Sequence, residues 1–207
     1  MLNVLLINGS PHKNGCTFTA LSEAAGQLNK HGIETNIFHI GTNPIRGCIA
    51  CGKCTQTGLC AFNDDTVNEA VGLLKIADAL VVGSPVYYAS TNGSLLAFMD
   101  RLFFRKSAAY AYKPAAAIVN CRRGGATTAF EMLNRFFSIS SMPIVTSQYW
   151  NQTHGTTPDE VRQDLEGLQT MRTLGNNMAW LLKCIENSKE TVAFPVKESP
   201  IATNFIR

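Results

Sequence analysis

Five times along this chain a short apolar run is followed by a stretch of helical spacing, and that alternation restricts its fold more than any other feature. Residues 2–8 form a nearly unbroken apolar run, the pattern of a strand buried on both faces of a parallel sheet. Residues 33–40 alternate apolar and polar positions, as a strand nearer an edge would. Residues 79–83, 114–120 and 142–147 supply three more strands. Helices are expected over 17–30, from an N-cap at Asp64-Asp65 to about residue 75, over 93–104 and over 127–137. A last helix is expected from 158 to about 186, because Val161, Leu165, Leu168, Met171, Leu174, Met178, Leu181 and Ile185 recur every three or four residues. Segments 41–64, 84–91 and 121–125 read as loops. The alternation implies an α/β protein, a doubly wound five-stranded parallel sheet with helices on both faces, and right-handed crossovers leave it few topologies. One domain is expected over 1–187, followed by a tail over 188–207 that has no period and either wraps the domain or reaches a neighbouring subunit.

Bulk properties narrow the function. With 207 residues, 45% of them apolar, the chain can bury a full core. Its net charge of +3 comes from scattered charges of both signs, so no basic stripe suits it to nucleic acid, while an anionic ligand is compatible. No stretch reaches the ~18 apolar residues of a membrane span. The apolar start is too short for a secretory signal, which makes the cytoplasm the expected compartment. Seven cysteines, an odd number with four crowded between Cys48 and Cys60, do not suit a secreted disulfide framework and point to metal or redox chemistry.

Ligands of open parallel sheets bind beyond the C-terminal strand ends, where three loops are expected. The first, 9–17, joins a strand to a helix N-terminus, whose unpaired amides and dipole favour an anion. Ser10 and Thr17 add hydroxyls, and His12 and Lys13 add positive charge. The order is neither the Walker pattern nor G-x-G-x-x-G, and a plain polar turn would share this composition. The second, 84–92, carries Tyr87 and Tyr88, which could cover a flat heterocycle or simply cap the sheet. The third, 121–126, combines Arg122 and Arg123 with Gly124 and Gly125, suiting either an anionic partner or a solvated turn. His154 and Trp150 follow the fifth strand. They could approach the ligand end of the sheet or be edge and core residues.

The stretch from Gly9 to Thr17 resembles the phosphate loop of the NADPH-dependent FMN reductase and multimeric-flavodoxin families. Gly83-Ser-Pro-Val-Tyr87, followed by Ser90-Thr91-Asn92-Gly93, resembles their flavin-ring loop. The resemblance covers roughly residues 1–150 and implies a flavodoxin-like sheet holding FMN. It implies the phosphate on Ser10, His12, Lys13, Asn14, Gly15, Cys16 and Thr17. The ring would lie against Pro85, Val86, Tyr87, Tyr88, Asn92 and Gly93, with Arg122 and Gly124 alongside. His12 and Cys16 depart from the family pattern, which more often has Arg or Lys and Asn or Ser there. A homodimer or homotetramer, with the flavin near a subunit interface, is also implied.

Cys48-x2-Cys51-x2-Cys54-x5-Cys60 is similar to the motif of iron–sulfur flavoproteins in the same superfamily. Three readings compete: a [4Fe–4S] cluster relaying electrons to FMN, redox-active free thiols, or structural cysteines. Zinc fits less well, because its four-cysteine sites pair two separated knuckles. The function implied is an oxidoreductase passing electrons from NAD(P)H through FMN to a quinone, flavin or other acceptor, with no side-chain acid or base required. Two rivals stand beside it: an electron carrier serving protein partners without NAD(P)H turnover, and a module sensing redox state through its cysteines.

Overall fold

The computed structural model describes residues 1–104, 110–196, 198, 199, 201 and 203. Strands β1 (Asn3–Asn8), β2 (Glu34–His39), β3 (Ala79–Tyr87), β5 (Ala115–Cys121) and β6 (Gln152–His154) form one sheet in the order β2-β1-β3-β5-β6, every pair parallel. A sixth strand, β4 (Ser90–Thr91), pairs antiparallel with the end of β3. The crossover from β1 runs one way to β2, and the next returns past β1 to β3, opening a crevice at the C-terminal ends of β1 and β3.

Each central strand sends alternate side chains into two cores. Leu5, Ile7, Leu80 and Val82 face α3 (Val67–Ile76), α4 (Gly93–Phe104) and α5 (Ala126–Ile139), meeting Leu74, Phe98, Leu102, Leu133 and Phe137. Val4, Leu6, Val81 and Ile118 face α1 (Cys16–Lys30) and α7 (Leu165–Ser188), meeting Leu21, Leu28, Met171, Leu174 and Met178. With apolar side chains on both faces, these strands leave only their ends to polar ligands. Lys113 closes the far end of the sheet: its ammonium donates to the carbonyls of Leu74, at 2.9 Å, of Lys75 and of Ala77, where α3 stops. Burial pushes the Lys113 amine down.

The structure departs from the sequence reading in several places. Residues 142–147 do not form a regular strand. Ile144 makes one isolated bridge to Ala115, and regular pairing resumes only at β6. The edge strand thus splits around an excursion in which Ser147 bonds Asn151 at 2.7 Å and Val119 donates to the Asn151 carbonyl. The last helix is two, α6 (Pro158–Gln163) and α7, broken at Asp164. Asp164 turns its carboxylate to the amides of Gly167, at 2.9 Å, and His154, at 2.7 Å. A one-residue break leaves the apolar period nearly in phase, so periodicity could not reveal it. The loop over 41–64 contains a short helix, α2 (Lys53–Thr57). Asp65 takes the amide of Val67 at the start of α3, but its carboxylate chiefly faces Arg101. Past α7, Phe194 stacks on Tyr112 with ring centroids 5.1 Å apart. Residues 197, 200, 202 and 204–207 of the expected tail lie outside the described residues.

At Gly83 the sheet and α1 come closest. A methyl group there would lie 2.8 Å from side-chain carbons of both Thr17 and Leu21. Gly83→Ala must therefore push α1 and the loop before it outward. The expected loss is about 1–3 kcal/mol by urea denaturation, as for other overpacked cores.

Candidate functional site

β1 ends on buried Asn8, whose side chain builds the loop that follows. Its Oδ1 accepts from the Ser10 amide at 3.1 Å, and its Nδ2 donates to the Lys13 carbonyl at 3.0 Å. Ser10 Oγ accepts from the His12 amide, and Gly9 donates to the carbonyl of Gly83 at 2.9 Å. From β2, His39 Nε2 lies 2.8 Å from the Ser10 carbonyl, so that nitrogen carries the proton. The loop is thus tied to three strands. It delivers the chain into α1 at Gly15, which offers no side-chain cap. The first-turn amides of α1 are left to whatever approaches.

Thr17 makes the cradle specific. The residue is buried, and its Oγ1 has no hydrogen-bond partner among the described residues. A buried hydroxyl without a partner costs about 1–3 kcal/mol. It stands in the first turn of α1. Of the other residues proposed for this loop, Ser10 is buried, Gly15 and Cys16 are half-buried, and His12, Lys13 and Asn14 ring it in solvent. Cys16 has its thiol pushed up, chiefly by burial, against the downward pull of its backbone hydrogen bond.

The second loop is a hairpin, not the open loop read from the sequence. β3 continues to Tyr87, and Tyr87 pairs with Ser90, leaving Tyr88 and Ala89 as a two-residue turn. Both have positive φ, 50° and 55°, without being glycine. Each left-handed residue costs about 1–2 kcal/mol. Tyr88 is fully exposed at 104%, so it projects past the sheet rather than capping it. Pro85 and Val86 are half-buried beneath it. Ser84 Oγ accepts from the Asn92 amide at 3.1 Å, and Asn92 Oδ1 caps α4 by accepting from Leu95, also at 3.1 Å. Gly93 opens α4 in solvent.

The third loop meets the second at Gly125, whose φ is +86° and where a Cβ would lie 2.6 Å from the Ala89 Cα. Arg122, Arg123 and Gly124 are exposed beside it. The three loops therefore abut at one end of the sheet. A cavity of about 70 Å³ opens on the β2 side of that end, between Gly9 and Pro11, Asn92 and Ser94, and residues 40–43. His154 sits at the edge in β6, its ring 3.4 Å from Asp164, and lines a separate hollow with Tyr149 and Glu166. Trp150 is half exposed and edge-on to Tyr149, not in the core.

The four clustered cysteines line one further, small cavity of about 20 Å³, with Ile49, Gly52, Ala61, Phe62, Arg101 and Phe104. All four are free thiols. Burial pushes the Cys54 thiol up, opposed by a backbone hydrogen bond, and negative charge on Cys48, Cys60 and Cys51 raises it further. Among the described residues no three His, Cys, Asp or Glu side chains converge tightly enough to hold a metal ion. No helix among them is long and apolar enough to cross a membrane.

Sequence reasoning missed Asn8, His39, Ser84 and Arg101. Asn8 alone carried a signal, as the polar residue ending an apolar run just before Gly9-Ser10-Pro11. Ser84 acts within its own loop, on Asn92, whereas His39 and Arg101 act through contacts between segments far apart in the chain.

A parallel sheet of order 2-1-3, continued by two further strands on the β3 side and carrying its loops this way, defines a flavodoxin-like protein. Solved structures agree on the fold. RosB with bound 8-demethyl-8-formylriboflavin-5′-phosphate superposes with a TM-score of 0.72 at 13% identity, covering 100% of this chain and 94% of that one. The apo form of the NADH:FMN oxidoreductase EMOB gives 0.59 at 20% identity, covering 89% and 90%. The NADPH-dependent FMN reductase family matches residues 2–157, and this chain belongs to it. An iron–sulfur flavoprotein of Methanocaldococcus jannaschii is 32% identical over 89% of this chain and 100% of its own length. Another, from Methanosarcina thermophila, is 27% identical over 89% and 97%.

Relieving the unpartnered hydroxyl tests the cradle without any ligand. In the ligand-free protein Thr17→Val is expected to raise stability by about 1 kcal/mol or leave it unchanged in urea denaturation. A clear loss would mean the hydroxyl has a partner in the free protein.

Proposed function

We propose that this chain takes electrons from NAD(P)H and delivers them to a quinone, a free flavin or a protein acceptor, with FMN held at the three abutting loops. Family membership makes it an FMN-dependent oxidoreductase. Bound there, FMN would supply both hydride and single-electron chemistry. The observation that carries the placement is Thr17, a buried hydroxyl without a partner beside the free first-turn amides of α1. A phosphate would satisfy the hydroxyl and amides together, with Ser10, Asn14, Gly15 and Cys16 shaping the rim and His12 and Lys13 supplying positive charge. Pro85, Val86, Tyr87, Tyr88, Asn92 and Gly93 would bound the ring, and Arg122 and Gly124 the side facing the third loop. The strained Tyr88-Ala89 turn stands where a ring edge would be gripped. No side chain is assigned a proton-transfer role.

The cysteine cavity supports a further part of this reading, an iron–sulfur site on Cys48, Cys51, Cys54 and Cys60. What supports it is that four thiols border one mostly apolar hollow, four thiolates being the ligand set of a [4Fe–4S] cube. Such a group would supply one-electron relay between the flavin and a protein acceptor.

An absorption spectrum of protein purified without oxygen, with iron and acid-labile sulfide assayed on the same sample, tests both parts. Flavin bands with about four irons per chain are expected. Flavin without iron would remove the iron–sulfur part alone, and no flavin even after FMN is added would remove the central one. Rapid NAD(P)H oxidation is expected; its absence would leave an electron carrier. Thr17→Val is expected to weaken FMN binding about tenfold, or about 1.4 kcal/mol, in a fluorescence titration.

A further inference from the structure

Arg101 sits in α4 with its side chain wholly buried, and every N–H group of its guanidinium is engaged. The paired amino groups grip the Asp65 carboxylate, itself only 3% exposed, and Nη2 reaches Oδ1 at 3.1 Å. Nη1 also donates to the Arg46 carbonyl at 3.2 Å, and Nη2 to that of Phe62 at 3.3 Å. Nε donates to Cys60 Sγ at 3.2 Å. Arg46 and Phe62 flank the four cysteines in sequence. One cation thus closes the cysteine segment at both ends and holds its last thiol.

A purely structural role accounts for the carboxylate and the two carbonyls. It accounts poorly for Nε, because a neutral thiol is a weak acceptor. A cationic donor aimed at sulfur suits a sulfur that carries charge. Among the described residues Arg101 is also the one charged residue lining the cysteine cavity, and Asp65 balances its charge there.

We propose that Arg101 is the positioning residue of the iron–sulfur site: its Nε–H fixes Cys60 Sγ toward the other three thiols, and that hydrogen bond to sulfur raises the reduction potential there. The proposal rests on the iron–sulfur reading above. Potentials of such sites follow hydrogen bonds to sulfur, and a donor to a ligating sulfur favours the electron-richer state. The ring loop lies at the other end of the same helix, about 12 Å from Arg101 by helical rise, so α4 sets the spacing between the two sites.

The test is an anaerobic redox titration of full-length protein, following the iron–sulfur signal by electron paramagnetic resonance and the flavin by absorbance. Arg101→Gln is paired with Asp65→Asn, so that no buried carboxylate is left uncompensated. In the double variant the iron–sulfur midpoint is expected to fall while the flavin midpoint stays in place; loss of iron with FMN still bound would equally support the positioning role. Arg101→Lys keeps the charge but lacks the fork, and a smaller shift is expected. Should the double variant bind neither group, Arg101→Lys decides. Full iron content with an unmoved midpoint in the variants that fold would overturn the proposal. Wild-type protein lacking iron would overturn the reading beneath it, and would do so before any substitution is made.

Discussion

Burial of β1, β3 and β5 on both faces is the constraint from which the rest follows. A strand packed against helices on either side has no free face to offer a ligand, so polar chemistry is confined to its ends. At one end Lys113 and the termination of α3 close the sheet. At the other, the reversal of strand order between β1 and β3 leaves the crevice where three loops meet. The burial of Thr17 is a consequence, because Gly83 lets α1 approach β3 closely.

The two candidate sites are held differently. Around the first loop almost every contact is a neutral hydrogen bond to backbone, through Asn8, Ser10 and His39, so its shape is fixed while its amides stay available. Around the cysteines the organising contact is a buried ion pair. Replacing one partner of such a pair is costly, because the other is left charged in a poorly solvated interior. The cysteine segment therefore depends on a residue of α4, and α4 in turn begins at Asn92 beside the hairpin. This helix joins the hairpin, through the Asn92 cap, to the last thiol, through Arg101.

Local strain lies in the same region. Tyr88 and Ala89 adopt a turn better suited to Asn-Gly, and Gly125 packs against it closely enough to exclude any side chain. The turn matches the twist of its two short strands, and contact with the third loop holds it in place. That arrangement leaves the Tyr88 ring in solvent, where a ligand or a second subunit could take it up.

Much of this was legible in the residues themselves. Apolar periodicity located the main helices and all the central strands, because burial on one or two faces leaves a spacing that survives in the sequence. Gly9-Ser10-Pro11, placed after a buried strand, marked the first loop, and the crowding of Cys48, Cys51, Cys54 and Cys60 marked the second site. The sequence could not show that residues 84–91 close into a hairpin, that the edge strand divides between Ile144 and Gln152, or that Asp164 breaks the last helix. Each of these depends on contacts with distant segments: Ala115, Val119 and His154 for the strand and helix breaks, Gly125 for the hairpin. Nor could it show that Arg101 would carry the cysteine segment, since Arg46, Cys60, Phe62 and Asp65 meet that side chain only once α4 has packed on the sheet. Side-chain spacing along the chain records which face is buried, whereas the identity of the group waiting on that face is decided by tertiary packing alone.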